Sequence, residues 1–199
     1  MAKGPKPEKR SRAEVVKEIA EMQKMLDKGK YQDVINQGWD FAADWKVVET
    51  TPMTTLFWKC MGLAYFHIKD FDGATKCFEN ALIILPDDEE AMICRGMTSL
   101  ATANIDGAIK DFESALKVNQ NDARAYVLAS LCYGLRGDKV KSKTYAQKAA
   151  KKDVEEAVKI STIAIDAVYN GPNLTDSQRL ELMKAKTDLK KMVAFKKKD

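Results

Sequence analysis

The spacing of apolar residues predicts helices along the whole chain. Near the N-terminus, Val15, Ile19, Met22 and Leu26 recur every three or four residues, which places them on one face of a helix. Similar stripes follow towards the C-terminus, and turn-forming residues separate them. The pattern predicts no strands and ten helices, at residues 15–28, 32–45, 55–68, 71–84, 89–102, 105–118, 123–136, 139–152, 156–170 and 175–196. Residues 49–54 read as an insertion in which Pro52 and its threonine neighbours break the helix.

Two of the predicted helices carry nearly the same sequence. Residues 70–82 (DFDGATKCFENAL) and residues 104–116 (NIDGAIKDFESAL) are identical at eight of thirteen positions, at an offset of 34. A period of this length is typical of a helix–turn–helix repeat, in which each pair of helices buries its apolar face against the next pair. The sequence therefore predicts a repeat protein.

Residues 55–88 carry a fixed pattern of small and aromatic residues, namely Trp58, Gly62, Tyr65, Ala74, Phe78, Ala81 and Pro86, with Met61 where leucine is usual. This pattern resembles the tetratricopeptide repeat family. Residues 89–122 keep Gly96 and Phe112, whereas residues 123–156 have Ser130 and Ser142 in the small-residue positions. The resemblance implies an all-α fold, a right-handed α-solenoid of tetratricopeptide-type repeats with about ten helices. It also implies that Gly62 lies where two helices approach closely.

The resemblance is good over residues 55–156 and loose over residues 15–195. It predicts a basic disordered arm at residues 1–14 and a degenerate N-terminal repeat plus insertion at residues 15–54. Three tetratricopeptide repeats would follow at residues 55–156. Residues 157–199 would then be a degenerate repeat or capping helices with a basic tail, because repeat arrays need a polar outer face at their ends.

Charge is distributed unevenly, which bears on the partner class. The net charge is +4, yet residues 1–12 carry +4, residues 184–199 carry +5, and the body between them is acidic. No basic stripe interleaved with aromatic residues exists, which argues against nucleic acid binding. We expect no membrane contact beyond a peripheral one through the basic termini. No apolar run reaches the length of a membrane span and no secretory signal is seen, so a cytoplasmic protein is expected.

The sequence contains no recognisable catalytic constellation. His67 is the only histidine, and the cysteines at positions 60, 77, 94 and 132 lack the close spacing of zinc ligands. The cysteines are therefore interpreted as free thiols. We expect no enzyme activity, no cofactor, no metal site and no small-molecule substrate.

The family turns the first helix of each pair towards a concave groove. By this resemblance the predicted peptide-binding residues are Lys59, Cys60, Leu63, His67, Ile93, Cys94, Met97, Leu100, Arg124, Val127, Leu128 and Leu131, and Leu56 turns to the same side. Family members that clamp a chaperone's C-terminal carboxylate need further lysine and asparagine residues. Only Lys59 and Arg124 fit that pattern, because Leu63 and Cys94 stand where asparagine is needed, so the predicted groove is apolar.

These observations predict a protein that binds another protein. The first hypothesis is an adaptor or assembly subunit that uses its tetratricopeptide-repeat surface. The alternative is a small cytosolic chaperone that shields an apolar segment of a client, such as a secretion substrate. The sequence leaves open whether the groove is free or covered by the chain's own C-terminal helix.

Overall fold

The structure is a computed structural model, which describes residues 11–43, 52–150, 155–169 and 174–196. Over these residues it has ten helices and no strand, so the predicted all-α class is confirmed. The helices are α1 (Arg12–Asp27), α2 (Tyr31–Ala43), α3 (Pro52–His67), α4 (Phe71–Ile84), α5 (Glu89–Ala101), α6 (Ile105–Val118), α7 (Ala123–Arg136), α8 (Lys139–Ala150), α9 (Glu155–Tyr169) and α10 (Asp176–Lys196).

The chain divides after Pro86 into two compact units, here called the N-terminal unit (α1–α4) and the C-terminal unit (α5–α10). In the N-terminal unit α3 pairs with α4, and both α1 and α2 pack on α3. In the C-terminal unit the pairs are α5 with α6 and α7 with α8, and α6 packs on α7. This is the arrangement expected for consecutive helical hairpins.

Side-chain caps fix where the repeat helices begin. Asp70 and Asn104, 34 residues apart, each accept a hydrogen bond from the backbone N–H three residues later, at the start of α4 and α6. Asp88 and Asp122 do the same at the start of α5 and α7. Each cap satisfies a backbone donor that has no partner inside the helix, which favours a helix start at that residue.

Helix α1 begins at Arg12, three residues before its predicted start. Ser11 accepts a hydrogen bond from the backbone N–H of Glu14, and the Glu14 carboxylate accepts one from the Ser11 N–H, which completes a capping box. Residues 11–14 of the predicted arm are thus the cap and the first turn of a helix. The predicted disorder of residues 1–10 lies outside the described residues.

The predicted helix break at Pro52 is wrong, because α3 begins at Pro52 and includes Thr54 and Thr55. Proline lacks an N–H, but the N–H groups of a first helical turn have no intrahelical partner, so proline is well suited to that position. Residues 49–51 of the predicted insertion lie outside the described residues.

The predicted close approach at Gly62 is present. A Cβ on Gly62 would lie 2.6 Å from Cε1 of Phe78, and one on Gly96 would lie 2.6 Å from Cε1 of Phe112. Phe78 and Phe112 are fully buried, so each ring packs directly on the backbone of the preceding helix. The two repeats are therefore built on the same glycine–phenylalanine contact.

Candidate interaction surface

In the N-terminal unit, the predicted residues of α3 lie beside α1. The Cys60 thiol is buried and donates a hydrogen bond to Oε1 of Gln23 on α1, at 3.6 Å. Leu63 is half-buried and packs against the apolar core of this unit, and Lys59 is also half-buried. The contact between Gln23 and Cys60 brings the matching faces of α1 and α3 together.

His67 lies at the C-terminal end of the same stripe. Its ring stacks on Tyr31, with centroids 4.3 Å apart and planes 8° apart, although the residue as a whole remains exposed. Partial burial lowers the pKa of His67, because removing water from one ring face disfavours the charged imidazolium. A neutral, stacked ring is suited to packing against a partner.

Two apolar side chains remain open on these faces. Val16 precedes Gln23 by two helical turns and is 47% exposed, and Leu56 precedes Cys60 by one turn and is 43% exposed. We define the α1–α3 surface as Val16, Gln23, Leu56, Lys59, Leu63 and His67. Val16 and Gln23 were missed from the sequence, although extending the family's groove positions to the degenerate first repeat would have found them.

In the C-terminal unit, the predicted groove residues are mostly buried. Cys94 and Arg124 are half-buried, while the apolar members are almost fully enclosed, with Ile93, Met97, Leu100, Val127, Leu128 and Leu131 at 8% exposure or less. In this conformation these side chains do not form an open groove. Their role in binding a partner stays a prediction.

Helix α9 accounts for this burial. A further repeat would stack α9 on α8, but among the described residues α9 packs on α5 and α7 and makes at most a marginal contact with α8. Its buried residues Val158, Ser161 and Ile165 recur at helical spacing and form the inner face, together with Ala164. The chain therefore covers the first helices of this unit with a helix of its own, and α10 packs on α9 and α7.

Arg124 is engaged in a charged cluster at the N-termini of α5 and α7. Its guanidinium donates to Oδ2 of Asp122, at 2.8 Å from Nε and 2.5 Å from Nη2, and Nε also donates to Oδ1 at 3.2 Å. Nη2 lies 4.0 Å from Oε1 of Glu89. Burial raises the pKa of Asp122, but hydrogen bonds from Arg124 outweigh it, so the net pKa is lowered. Burial, together with the hydrogen bond to Asp122, raises the pKa of Glu89 to about 7. The cluster thus fixes Arg124 inside the unit.

A pocket of about 310 Å³ opens between α7, α8 and α10. The predicted groove residues Val127 and Leu131 form part of its wall, and Ser142, Ala146 and Ala185 of α8 and α10 form another part. No pocket was predicted here from the sequence. The third repeat nevertheless carried a signal for it, because Gly134 and Ala146 stand where the repeat before has the larger residues Leu100 and Phe112.

The described residues include no cluster of side chains that could hold a metal ion. All four cysteines are free, and burial raises the pKa of the Cys77 thiol to about 12. Burial raises the pKa of Cys132 further. Both thiols therefore stay protonated and act as packing residues. Among the described helices, none combines the length and apolar content that crossing a membrane requires.

Comparisons with known proteins agree with this geometry. The family model for the tetratricopeptide repeat matches residues 55–88. A crystal structure of MamA is 22% identical, with a TM-score of 0.62 over 72% of this chain and 80% of that chain. The structure titled MamA RS-1 ArsTM double mutant is 20% identical, with a TM-score of 0.63 over 93% of this chain and 97% of that chain. The search of curated protein sequences gave no match.

At these identities the two structures show the fold alone, an all-α repeat solenoid. The repeat match adds one tetratricopeptide repeat, and it falls on the residues that form the Gly62–Phe78 contact and the Asp70 cap. The chain therefore contains a tetratricopeptide repeat at residues 55–88.

Proposed function

We propose that this protein is an adaptor or assembly subunit that binds a partner protein through the α1–α3 surface. Tetratricopeptide repeats are protein-binding modules, and this surface joins exposed Val16 and Leu56 with the stacked ring of His67. Exposed apolar side chains that share one face are typical of an interaction site.

The observation that carries the proposal is the position of α9. In the C-terminal unit, the first helices α5 and α7 hold an amphipathic helix of the chain itself. Helices α1 and α3 are the first helices of the N-terminal unit and expose apolar residues on the matching side. The ligand we propose for them is therefore an amphipathic helix with apolar residues spaced as Val158, Ala164 and Ile165 are.

A site-specific photocrosslinker tests this role in cells that make the protein. A benzophenone amino acid would replace Leu56, and the matched control would carry it at Ile83, which is 76% exposed on α4. We expect a discrete stoichiometric adduct from position 56 and none from position 83. Equal crosslinking from both positions, or none from either, would remove the support for this surface.

The apolar character of Val16 and Leu56 also favours the chaperone role, in which the same surface shields a client's apolar segment. The two roles predict different partners for the crosslink at position 56. An adaptor gives a subunit of a stable assembly, whereas a chaperone gives a client that aggregates when this protein is depleted.

We place this role in the cytoplasm, because four free thiols suit a reducing compartment. We infer no catalytic role: the one histidine stacks on Tyr31, and the buried thiols remain protonated. Peripheral membrane contact through the basic termini stays a prediction.

A further inference from the structure

The pair α7 with α8 differs at one contact from the two pairs before it, α3 with α4 and α5 with α6. Phe78 packs on Gly62, and Phe112 packs on Gly96, with 34 residues between the equivalent positions. A further 34 residues on, the equivalents are Ala146 and Ser130. The pair α7 with α8 therefore lacks the phenylalanine ring that packs between the helices of the two pairs before it.

The missing ring coincides with the pocket between α7, α8 and α10. Ser130 and Ala146 both line this pocket, and the hydroxyl of Ser130 donates to the backbone carbonyl of Ser142 at 2.8 Å. An alanine in place of a phenylalanine removes a ring, and the structure around such a site collapses only in part. The pocket is thus the uncollapsed remainder of a core position.

The aromatic residue next to Ala146 does not fill the space. The Tyr145 hydroxyl donates to the Glu113 carboxylate on α6 at 2.9 Å, and its ring packs on Tyr133 at a centroid distance of 5.2 Å. These contacts hold the Tyr145 ring on the α6 side of α8. The space beside Ala146 is instead bounded by Ala185 of α10.

We propose that this pocket binds the phenyl ring of a phenylalanine carried by a partner peptide. The chain itself indicates the ligand, because phenylalanine occupies the equivalent position in both earlier pairs. Space is sufficient, since an apolar cavity of about 150 Å³ binds benzene, and this pocket holds about 310 Å³. Val127, Leu131 and Leu135 supply an apolar wall.

The rim of the pocket favours a peptide as the source of the ring. Ser142, Glu181 and Lys184 line the pocket and can exchange hydrogen bonds with peptide amides, while Ser130 lies on its α7 side. Lys184 also donates to the Glu181 carboxylate at 3.2 Å. A ring without an attached backbone would leave these groups unused. This inference rests on the proposed role in protein binding, but the pocket lies in the other unit from the α1–α3 surface.

The test measures binding of two fluorinated probes to the full chain by ¹⁹F NMR. One probe is N-acetyl-4-fluorophenylalanine methylamide and the other is 4-fluorotoluene, which has the ring without the peptide. We expect the capped amino acid to bind with a dissociation constant on the order of 1 mM, as its size allows. We expect the toluene to bind at least about fivefold more weakly, because it lacks the amides.

Filling the pocket from within should abolish the binding. The double variant Ser130→Gly with Ala146→Phe restores the contact seen in the earlier pairs and should raise the melting temperature by about 2–4 °C. Ala146→Met keeps Ser130 and serves if the double variant does not fold, and it should weaken probe binding at least about fivefold. The matched control Gln147→Phe adds a ring at an exposed neighbouring position and should leave binding unchanged.

Three results would overturn the proposal: no binding of the capped amino acid at 10 mM probe (about ten times the expected constant), equal binding of 4-fluorotoluene, or unchanged binding in the filled variants. None of these measurements uses the crosslink at Leu56. A failed crosslink with intact probe binding would therefore count against the α1–α3 surface alone, and the reverse result would count against the pocket alone.

Discussion

Glycine is a poor helix former, yet Gly62 stands inside α3. Replacing a helical glycine by alanine normally stabilises by about 1 kcal/mol, but here the new Cβ would lie 2.6 Å from the buried ring of Phe78. Overpacking of this kind costs about 1–3 kcal/mol. Because this cost outweighs the gain, we expect Gly62→Ala to lower the free energy of unfolding by up to about 2 kcal/mol.

Gly134 on α7 provides the matched control for that prediction. The nearest atom to its added Cβ is Oγ of Ser142 at 3.4 Å, so Gly134→Ala meets no comparable clash and should be neutral or stabilising. Urea denaturation of both variants measures the difference. Equal effects at the two positions would mean that the Gly62–Phe78 contact is looser than described.

Glu89 should make stability depend on pH around neutrality. Its pKa is raised to about 7 by burial first and then by the hydrogen bond with Asp122. The folded state keeps the Glu89 carboxyl protonated to a higher pH than the unfolded state does. The favourable contribution of Glu89 to the free energy of unfolding is therefore fully present below the pKa of the unfolded state. It is lost as the pH rises to about 7.

The variant Glu89→Gln is neutral at every pH and keeps an oxygen that can accept the hydrogen bond from Asn119. We expect the fall in urea midpoint between pH 5 and pH 8 to be smaller in this variant than in the parent protein. Glu79 is exposed on α4, so Glu79→Gln is the matched control and should leave the profile unchanged. A profile that Glu89→Gln does not alter would contradict the assignment.

At the scale of elements, the sequence predicted most of the helices and one contact in detail. The 34-residue offset and the apolar spacing identify the hairpins. The family pattern correctly places Gly62 at a close approach of two helices, where the structure shows the ring of Phe78. These features are local, because they depend on helix periodicity and on neighbours within one hairpin. The error at Pro52 is also local, since a proline that breaks a helix interior also fits a helix start.

The position of α9 was not predictable in the same way. Its apolar residues Val158, Ala164 and Ile165 share a buried face, but their spacing does not identify the surface that buries them. The sequence suggested the last helix, α10, as a possible cover, whereas in the structure α9 makes the contacts with both α5 and α7. The pocket was missed for a related reason. It arises because position 146 has alanine in place of the phenylalanine of the two repeats before it, and no motif marks such a change.

At the scale of the whole molecule, α9 and α10 complete the array at its C-terminal end. The faces of α5 and α7 beneath α9 include Ile93, Leu100 and Leu128, all at 2% exposure or less. Two polar contacts join α10 to α9, since Lys186 pairs with Asp166 and Arg179 donates to the backbone carbonyl of Tyr169. A repeat array without a terminal cover exposes the apolar face that the next element would bury.

We therefore expect a chain that ends at Ala150 to expose this face, bind the dye ANS and self-associate, because the apolar residues on α5 and α7 would meet water. A synthetic peptide of residues 155–169 should restore a monomer and displace the dye, since it supplies Val158 and Ile165 to the same surface. The control peptide with Ile165→Glu should not, whereas Ile163→Glu should act as the parent does, because Ile163 is 39% exposed on the outer side of α9. Sedimentation and dye fluorescence measure both effects. A truncated chain that stays monomeric and dye-free would show that α9 is not the cover of these helices.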